Sequence, residues 1–442
     1  MTDRPEMKRL LGLAAAEADH AEVFHEMDEA ASLSMRNGRA TEMSATIQSG
    51  YALRMIRDDR IGTAYTKNLL DPAEMVDNAL ASMKGSVEAG FDFPGPADFS
   101  QEPAEDAGIS GMGYSDMHAR ASRVLEHLHG KVEGQVDVAA GWGVTETGIM
   151  NSAGLEVSSR RPAMYIFTSL LFPNTETAVR SLFHSRVPGD FPKEDLDGLV
   201  SLYRAGLPVV DVPTGRMKVM FAPDTMYTLL WRLSAAVSGM AFHNRISPLL
   251  EKRGAKVLSE SFTLYGDPTD PVEVNRRFFD DEGVPTGRHT VFEKGVFRNL
   301  VLNLDYAEKL GEEPTGTGYR GGMWGGETVS MQPSPSLRSS RIAPGGVSFE
   351  EMVAGMERGV IVLGVLGAHS GNILNGDFSV GLNPGYYVED GEIRGRVRDG
   401  MVAGNVYRVL NRISAVEDTL HDTPAGGRYP AILLEDVSVA GR

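Results

Sequence analysis

The chain contains no cysteine. This absence excludes disulfide bonds, a cysteine nucleophile, iron–sulfur clusters and zinc sites built on thiolates. Basic residues are in the minority, because 43 Lys and Arg face 60 Asp and Glu and leave a net charge of -17. Binding to nucleic acid or to an anionic membrane depends on clustered Lys and Arg, so the charge argues against both as direct ligands.

Long hydrophobic runs are also missing. A membrane helix needs about 20 mostly apolar residues in a row, whereas the run near the start, LLGLAAA, is short and has acidic residues on both sides. We interpret it as part of an amphipathic first helix and not as a signal peptide. With the missing cysteines, this predicts a cytoplasmic protein, and 442 residues predict two or three domains.

Common catalytic motifs are absent too. The sequence has no G-x-S-x-G, no G-x-x-x-x-G-K-[ST], no H-E-x-x-H and no EF-hand loop. A formal G-x-G-x-x-G occurs at Gly316, Gly318 and Gly321. It lies inside a Gly-rich loop instead of between a strand and a helix, which favours a mobile loop near a ligand over a nucleotide site.

The chain is organised around a predicted buried strand and the core helix that follows it. Residues 217–222 are the short apolar run MKVMFA, and apolar residues recur at helical spacing through 224–242. Asp224, directly after Pro223, stands where a helix start favours a side-chain acceptor. The helix has no His and no Glu before His243, so it supplies no ligands for a helix-borne zinc site.

The remaining patterns predict an α+β fold in three modules. Residues 1–89 combine antiparallel strands with a helix that begins at Asp71, and residues 90–113, rich in Gly, Pro and acid, form a linker or long surface loop. Residues 114–211 hold a helix and then, from 132 to 184, a second antiparallel sheet. Residues 212–442 form the larger C-terminal domain.

Within the C-terminal domain, turn and capping signals predict the individual elements. Hairpins turn at Glu293–Gly295 and Asp390–Gly391, and Ser348–Glu351 is a capping box that opens a helix. The segment 401–416 is predicted to be an amphipathic helix, and AILLEDVSVAG closes the chain as a strand.

Two groups are candidates for chemistry that does not depend on such motifs. Asp280, Asp281 and Glu282 form an acidic cluster, although adjacent acids at such a turn are more often solvated or bound to backbone than catalytic. His369 precedes Ser370 in a Gly-flanked loop, where a serine nucleophile would need a base and an oxyanion hole. On the residues alone, the sequence predicts a soluble α+β protein that binds peptides or another ligand.

Six segments in order resemble the TldD/PmbA family, whose members carry the old label "modulator of DNA gyrase". They are FDDEGVPT (279–286), EKGVFRNLVLNLDYAEKLG (293–311), PSPS (333–336), GDFSVG (376–381), EDGEIRGRV (389–397) and MVAGNVYRVLNRISAV (401–416). Weaker N-terminal matches extend the likeness over nearly the whole chain. The loop PTGTGYRGGMWGG is more Gly-rich than the family pattern, and PSPSLRSS lacks the Asn expected after PSP.

The resemblance implies a comparison with the family's metal helix. TldD proteins carry H-E-x-x-x-H there and form the catalytic half of a metalloprotease heterodimer, whereas PmbA, also called TldE, lacks the ligands. By its place after the 217–222 strand, the motif's histidines would fall near Trp231 and Ala236 and its glutamate near Arg232. None of these side chains ligates zinc or acts as a base, so the resemblance points to a PmbA/TldE-type subunit with no catalytic residue, metal ligand or cofactor of its own.

The first functional hypothesis is a non-catalytic partner of a TldD-like subunit, which would hold the zinc, with short or unfolded peptides as substrate. The second is a homodimeric peptide-binding or regulatory protein that acts without a protease partner. A third is a hydrolase that uses His369 or the acidic cluster at 280–282. The candidates for lining a peptide cavity are Arg320, Trp324, His369 and Asp377.

Overall fold

The computed structural model describes residues 3–85, 88–97, 99, 108–321, 326–424 and 426–441. Its architecture is α+β, with several antiparallel sheets and flanking helices, as the sequence predicts. The elements of the N-terminal half, in chain order, are α1 (Arg4–Ala15), β1 (His20–Arg36), β2 (Arg39–Arg57), β3 (Arg60–Thr66), α2 (Pro72–Ser82), α3 (Tyr114–Leu128), β4 (Val136–Asn151), β5 (Glu156–Leu171), β6 (Ala178–Ser185) and α4 (Lys193–Ala205).

The strands of the N-terminal half form one sheet. Among the described residues its order is β3-β2-β1-β4-β5-β6, and all neighbours are antiparallel. The prediction of a second, separate sheet over 132–184 is therefore wrong. Strand β1 pairs with β4 along its length, from Glu22 opposite Asn151 to Arg36 opposite Asp137. Local alternation identifies strands but carries no information about which strands pair across a linker.

Helices cover this sheet at two places. Helix α1 packs on β1, and α2 packs on β3, where the side chain of Asp71 accepts hydrogen bonds from the amides of Ala73 and Glu74 as the capping signal predicts. Helices α3 and α4 cover the part of the sheet around Trp142, whose indole donates to the carbonyl of Met112. Each helix buries one apolar face, which is what its 3.6-residue pattern requires.

The start of the predicted linker is packed and not exposed. Phe91 and Phe93 are buried with Ile56 of β2 and with Val284 and Leu304 of the C-terminal domain. The described part of this segment therefore helps to join the two halves of the molecule.

The C-terminal half contains many short strands. Its elements are β7 (Val209–Val210), β8 (Gly215–Phe221), α5 (Tyr227–Val237), α6 (Gly239–His243), β9 (Leu264–Gly266), β10 (His289–Glu293), β11 (Val296–Phe297), α7 (Leu304–Leu310), β12 (Gly318–Tyr319), β13 (Ser334–Pro335), β14 (Ser340–Ile342), α8 (Phe349–Ala354), β15 (Arg358–Val362), β16 (Val365–Leu366), β17 (Asp377–Leu382), β18 (Gly385–Glu389), β19 (Glu392–Val397), β20 (Met401–Asn405), α9 (Val406–Val409), β21 (Ile413–Val416), β22 (His421–Asp422), β23 (Arg428–Tyr429) and β24 (Ile432–Ala440).

The predicted strand and core helix are at the centre of this half. Strand β8 lies between β24 and β15 in the larger sheet, and α5 packs beside it through Leu229 and Leu233, which are buried together with Met226 directly before the helix. The predicted hairpins at Glu293–Gly295 and Asp390–Gly391 and the capping box at Ser348 are confirmed.

The core helix is shorter than predicted and is broken. Helix α5 ends at Val237, Ser238 is extended, and α6 starts at Gly239. The break occurs because this segment pairs with Val301, whose amide donates to the carbonyl of Val237 and whose carbonyl accepts from the amide of Gly239. This tertiary pairing replaces hydrogen bonds that a continuous helix would make.

Asp224 does not cap the helix, contrary to the prediction. It lies in a 3₁₀ turn, Pro223–Thr225, and α5 begins at Tyr227 without a side-chain cap. Burial raises the pKa of Asp224 to about 6, and the nearby His421 and Arg180 offset this only in part. The carboxylate is therefore held where its charge is unfavourable.

We expect Asp224→Asn to stabilise the protein at pH 8 and to leave its stability unchanged at pH 4. Between the unfolded pKa, about 3.9, and the folded value of about 6, the folded protein binds a proton that the unfolded chain has lost. Stability therefore falls as the pH rises through this window. The amide removes this loss, on the order of 3 kcal/mol. Thermal unfolding across pH 4 to 8 tests it, with the exposed Asp77→Asn as control, and a gap in Tm that is independent of pH would contradict it.

The prediction of one amphipathic helix over 401–416 is wrong. The segment forms strand β20, the single turn α9 and strand β21. Strands β20 and β21 both pair with β24, so sheet pairing overrides the helical pattern.

Across the described ranges, the helices are all too short or too polar to cross a membrane.

Candidate functional site

A cavity of about 660 Å³ lies where the N-terminal sheet, helix α5 and loops of the C-terminal domain meet. This volume is within the range of small-molecule and side-chain binding sites. The described residues that line it are Arg54, Ile61, Thr63, Phe91, Trp231, Ser234, Ala235, Ser238, Met240, Asn303, Asp305, Tyr306, Gly321 and the segment 332–337.

One face of α5 forms a wall of this cavity. Trp231, Ser234 and Ala235 line it, and the spacing of three and four residues from Trp231 places them on one side of the helix. Ser238, directly after the end of α5, continues this wall. Ala236 lies in the hydrophobic core instead. Of the two positions assigned to the family's histidines, only Trp231 faces the cavity.

Arg232, at the position assigned to the family's glutamate, has a structural environment. Its side chain is fully buried and donates to four backbone carbonyls, those of Thr228, Ala368, Ser370 and Asp377, at 2.6 to 3.1 Å. Burial lowers the pKa of this guanidinium, and Asp377 offsets part of the effect. Arg232 therefore ties α5 to the start of β17 and to the loop before it.

The cavity lining does not fit the zinc ion that the family motif would hold. Asp305 is the one carboxylate among the described lining residues, and it binds the ammonium group of Lys309 at 2.8 Å. Within the described ranges, no group of three His, Cys, Asp or Glu side chains is placed to hold a metal. Zinc sites in proteins need three or four such ligands.

A buried ion network borders the cavity at Arg54. Arg54 on β2 is 2% exposed, and its guanidinium makes two hydrogen bonds of 2.9 Å to Glu22 and one of 2.8 Å to Glu282. Burial alone would lower the pKa of Arg54, but the two carboxylates raise it further than burial lowers it. Since Glu22 lies in the N-terminal sheet and Glu282 in the C-terminal domain, Arg54 joins the two halves.

The acidic cluster is buried and engaged in structural hydrogen bonds. Asp280 accepts from the amides of Gly318, Glu282 and Val284, and Asp281 accepts from Arg277 and from the amide of Arg320. Burial tends to raise the pKa of Asp281, but Arg277 and the Arg320 amide bring it below its ordinary value. The cluster thus orders the backbone around β12, which is the preferred sequence interpretation.

Three of the four residues predicted to contact a peptide are described by the structure, and they lie outside the lining of this cavity. Arg320 is buried over the ring of Phe24 at 4.5 Å, and its guanidinium donates to the carbonyl of Met331. His369 and Asp377 are exposed, although the carbonyl of Asp377 and the carbonyls on both sides of His369 accept from Arg232. These three residues are outside the cavity lining, Trp324 lies outside the described residues, and the contact of all four with a peptide stays a prediction.

Sequence reasoning missed Arg54 and Phe91 as cavity residues. The one indication for Arg54 in the sequence is its position among apolar residues of β2. These neighbours are buried on both sides of it. Phe91 is an aromatic residue in a segment otherwise typical of a linker. Both signals point to burial, and neither identifies the partner across the chain.

Two family models match the chain. Residues 214–441 match the PmbA/TldA metallopeptidase C-terminal domain, and residues 21–82 match PmbA/TldA metallopeptidase domain 1. The chain therefore belongs to the PmbA/TldD family.

Individual relatives are similar over part or all of their length. A metalloprotease of Methanothermobacter thermautotrophicus is 24% identical over 96% of each chain, and metalloprotease PmbA of Escherichia coli O157:H7 is 28% identical over 52% of this chain and 47% of that protein. The crystal structure of TldE from Thermococcus kodakarensis superimposes with a TM-score of 0.87 and 26% identity, covering 99% of this chain and 100% of the other.

Proposed function

We propose that this protein is a non-catalytic, TldE-type subunit that pairs in the cytoplasm with a TldD-like metalloprotease and helps to enclose short or unfolded peptides. The observation that carries the proposal is the composition of α5, which presents Trp231, Ser234 and Ala235 to the cavity and buries Arg232 against backbone carbonyls. In this proposal the zinc ion and the general base belong to the partner, and this chain supplies binding surface.

The likeness to TldE from Thermococcus kodakarensis supports this assignment, since it extends over the whole chain. The cavity supports a binding role, because its walls come from both halves of the molecule and are held in register by the ion pairs of Arg54. A cavity between two rigidly joined modules is a common place for a ligand.

The proposal predicts that peptide cleavage and zinc appear only with the partner. We expect this chain, co-expressed with a TldD-like protein that carries H-E-x-x-x-H, to purify as a stable complex that cleaves unfolded peptides. Elemental analysis should find zinc in the complex and in the partner, but not in this chain alone. As a control, a partner whose motif glutamate is replaced by Gln should still form the complex and should not cleave.

Three results would contradict the proposal. The chain would remain separate from the partner, it would add nothing to cleavage, or it would bind zinc stoichiometrically by itself. A stable homodimer that holds peptide and ignores the TldD-like protein would support the alternative of a stand-alone binding protein.

A further inference from the structure

We propose that the cavity beside α5 receives an uncharged, apolar side chain of the bound peptide, aromatic or branched aliphatic, and that Trp231 determines this preference. The inference rests on the proposed function, and it adds the substrate class that this subunit selects. Three features of the cavity lead to it: its apolar walls, its paired charges and its occupied polar groups.

The walls are rich in apolar and aromatic surface from both halves of the chain. Trp231 is half-buried and lines the cavity together with residues of β3 and the linker. A large rigid ring gives contact area at a small cost in conformational entropy, and it stacks well on aromatic or aliphatic groups. Other apolar lining residues include Ile61, Phe91, Met240, Pro333, Pro335 and Leu337.

The charges that border the cavity are already neutralised within the protein. Arg54 is bound by Glu22 and Glu282 at 2.8 to 2.9 Å, and Asp305 is bound by Lys309 at 2.8 Å. A charged ligand group entering the cavity would lose its hydration and would have to compete with these pairs. Burial of an unpaired charge is strongly unfavourable, so the cavity disfavours Lys, Arg, Asp and Glu.

The polar groups deepest in the lining are also engaged. The hydroxyl of Ser238 donates to the carbonyl of Ala235 and accepts from the amide of Ala241. The side-chain amide of Asn303 donates to the carbonyl of Pro333, and its oxygen accepts from the amide of Tyr306. Gln332 and Ser334, by contrast, are exposed at the rim, where the backbone of an extended peptide would run.

The test compares peptides that differ at one central residue, Phe, Leu, Lys or Glu, in an otherwise alanine sequence with blocked ends. Binding to the full chain, alone and with its partner, is measured by fluorescence anisotropy of a terminal label. We expect the Phe and Leu peptides to bind about tenfold more tightly than the Lys and Glu peptides, in line with discrimination by an apolar pocket. Trp231→Ala should remove most of this preference, and Trp231→Phe should retain most of it.

Two further variants separate a local effect from loss of structure. Tyr65→Ala removes an aromatic residue of β3 that is 57% exposed and outside the cavity lining, and it should change nothing. Trp231→Glu places a carboxylate in the wall and should make the Lys peptide the preferred ligand. This gain cannot result from unfolding.

The inference is overturned if all four peptides bind equally, or if Trp231→Ala keeps the preference of the unaltered protein. Cleavage by the complex without any such preference would leave the proposed function intact and refute the inference. The opposite result is also distinguishable. If the isolated chain binds peptides with this preference but does not increase cleavage by the partner, the inference about the pocket is supported and the proposed subunit role is refuted.

Discussion

Arg54→Met is expected to destabilise the folded protein by about 3–5 kcal/mol, because it removes one partner from a buried ion network and leaves the others uncompensated. The side chains of Glu22 and Glu282 are fully buried, and Arg54 makes the closest ion pair with each. The remaining partners, Arg320 at 3.6 Å from Glu22 and the amide of Leu304 bound to Glu282, replace only part of this interaction. Methionine fills a similar volume, so the loss comes from the charge and the hydrogen bonds. We expect a large fall in Tm and earlier unfolding in denaturant.

The matched control is Arg57→Met on the same strand, where the side chain is exposed and should contribute little. A double variant, Arg54→Met with Glu22→Gln, should recover part of the loss, because it removes one of the unpaired charges. If Arg54→Met and Arg57→Met have equal effects on Tm, Arg54 does not join the two halves in the way described above.

Arg232→Glu is expected to prevent stable folding, although it restores the acid of the H-E-x-x-x-H motif at its assigned position. The guanidinium now donates to four backbone carbonyls, and a carboxylate in its place would face those oxygens with like partial charge and no donor. Unsatisfied buried carbonyls cost about 1–3 kcal/mol each, and the buried anion adds to this loss. Soluble yield and the near-ultraviolet circular dichroism spectrum measure the outcome.

Arg232→Met separates the two contributions, since it removes the donors without adding a negative charge. It should fold with reduced Tm and so lie between the unaltered protein and Arg232→Glu. Arg9→Glu reverses the charge of an exposed residue of α1 and should have little effect. A folded Arg232→Glu variant that gains zinc would show that this helix position faces the cavity and not the carbonyls.

Local patterns predicted most elements of the fold. The capped helix after Asp71 and both hairpins depend on hydrogen bonds between residues close in sequence, which turn and capping chemistry determine. The strand before α5 is recognisable from its short apolar run, although its partners β15 and β24 are distant in the chain. The errors occur where distant segments decide the structure. Strand β1 pairs with β4, Val301 breaks the core helix at Ser238, and β24 draws 401–416 into the sheet.

The candidate site was predictable only in part for the same reason. The sequence identifies α5 and its lack of metal ligands. Helical spacing does not show which face of the helix borders a cavity, so the sequence alone does not distinguish Trp231, which lines the cavity, from Ala236, which lies in the core. Arg54 and Glu282 are 228 positions apart in the chain, and nothing in the neighbourhood of either residue reveals the other. A buried charge is recognised by its partner, which only the tertiary structure supplies.

The pairing of β1 with β4 has a consequence for synthesis on the ribosome. Strand β4 begins at Val136, about 100 residues after β1 ends at Arg36. At translation speeds of roughly 5–20 residues per second, the nascent β1–β2 hairpin waits on the order of 10 seconds for its second neighbour. During that interval one side of a 17-residue strand has unpaired backbone groups, so the newborn chain is most vulnerable to aggregation before its middle has been made.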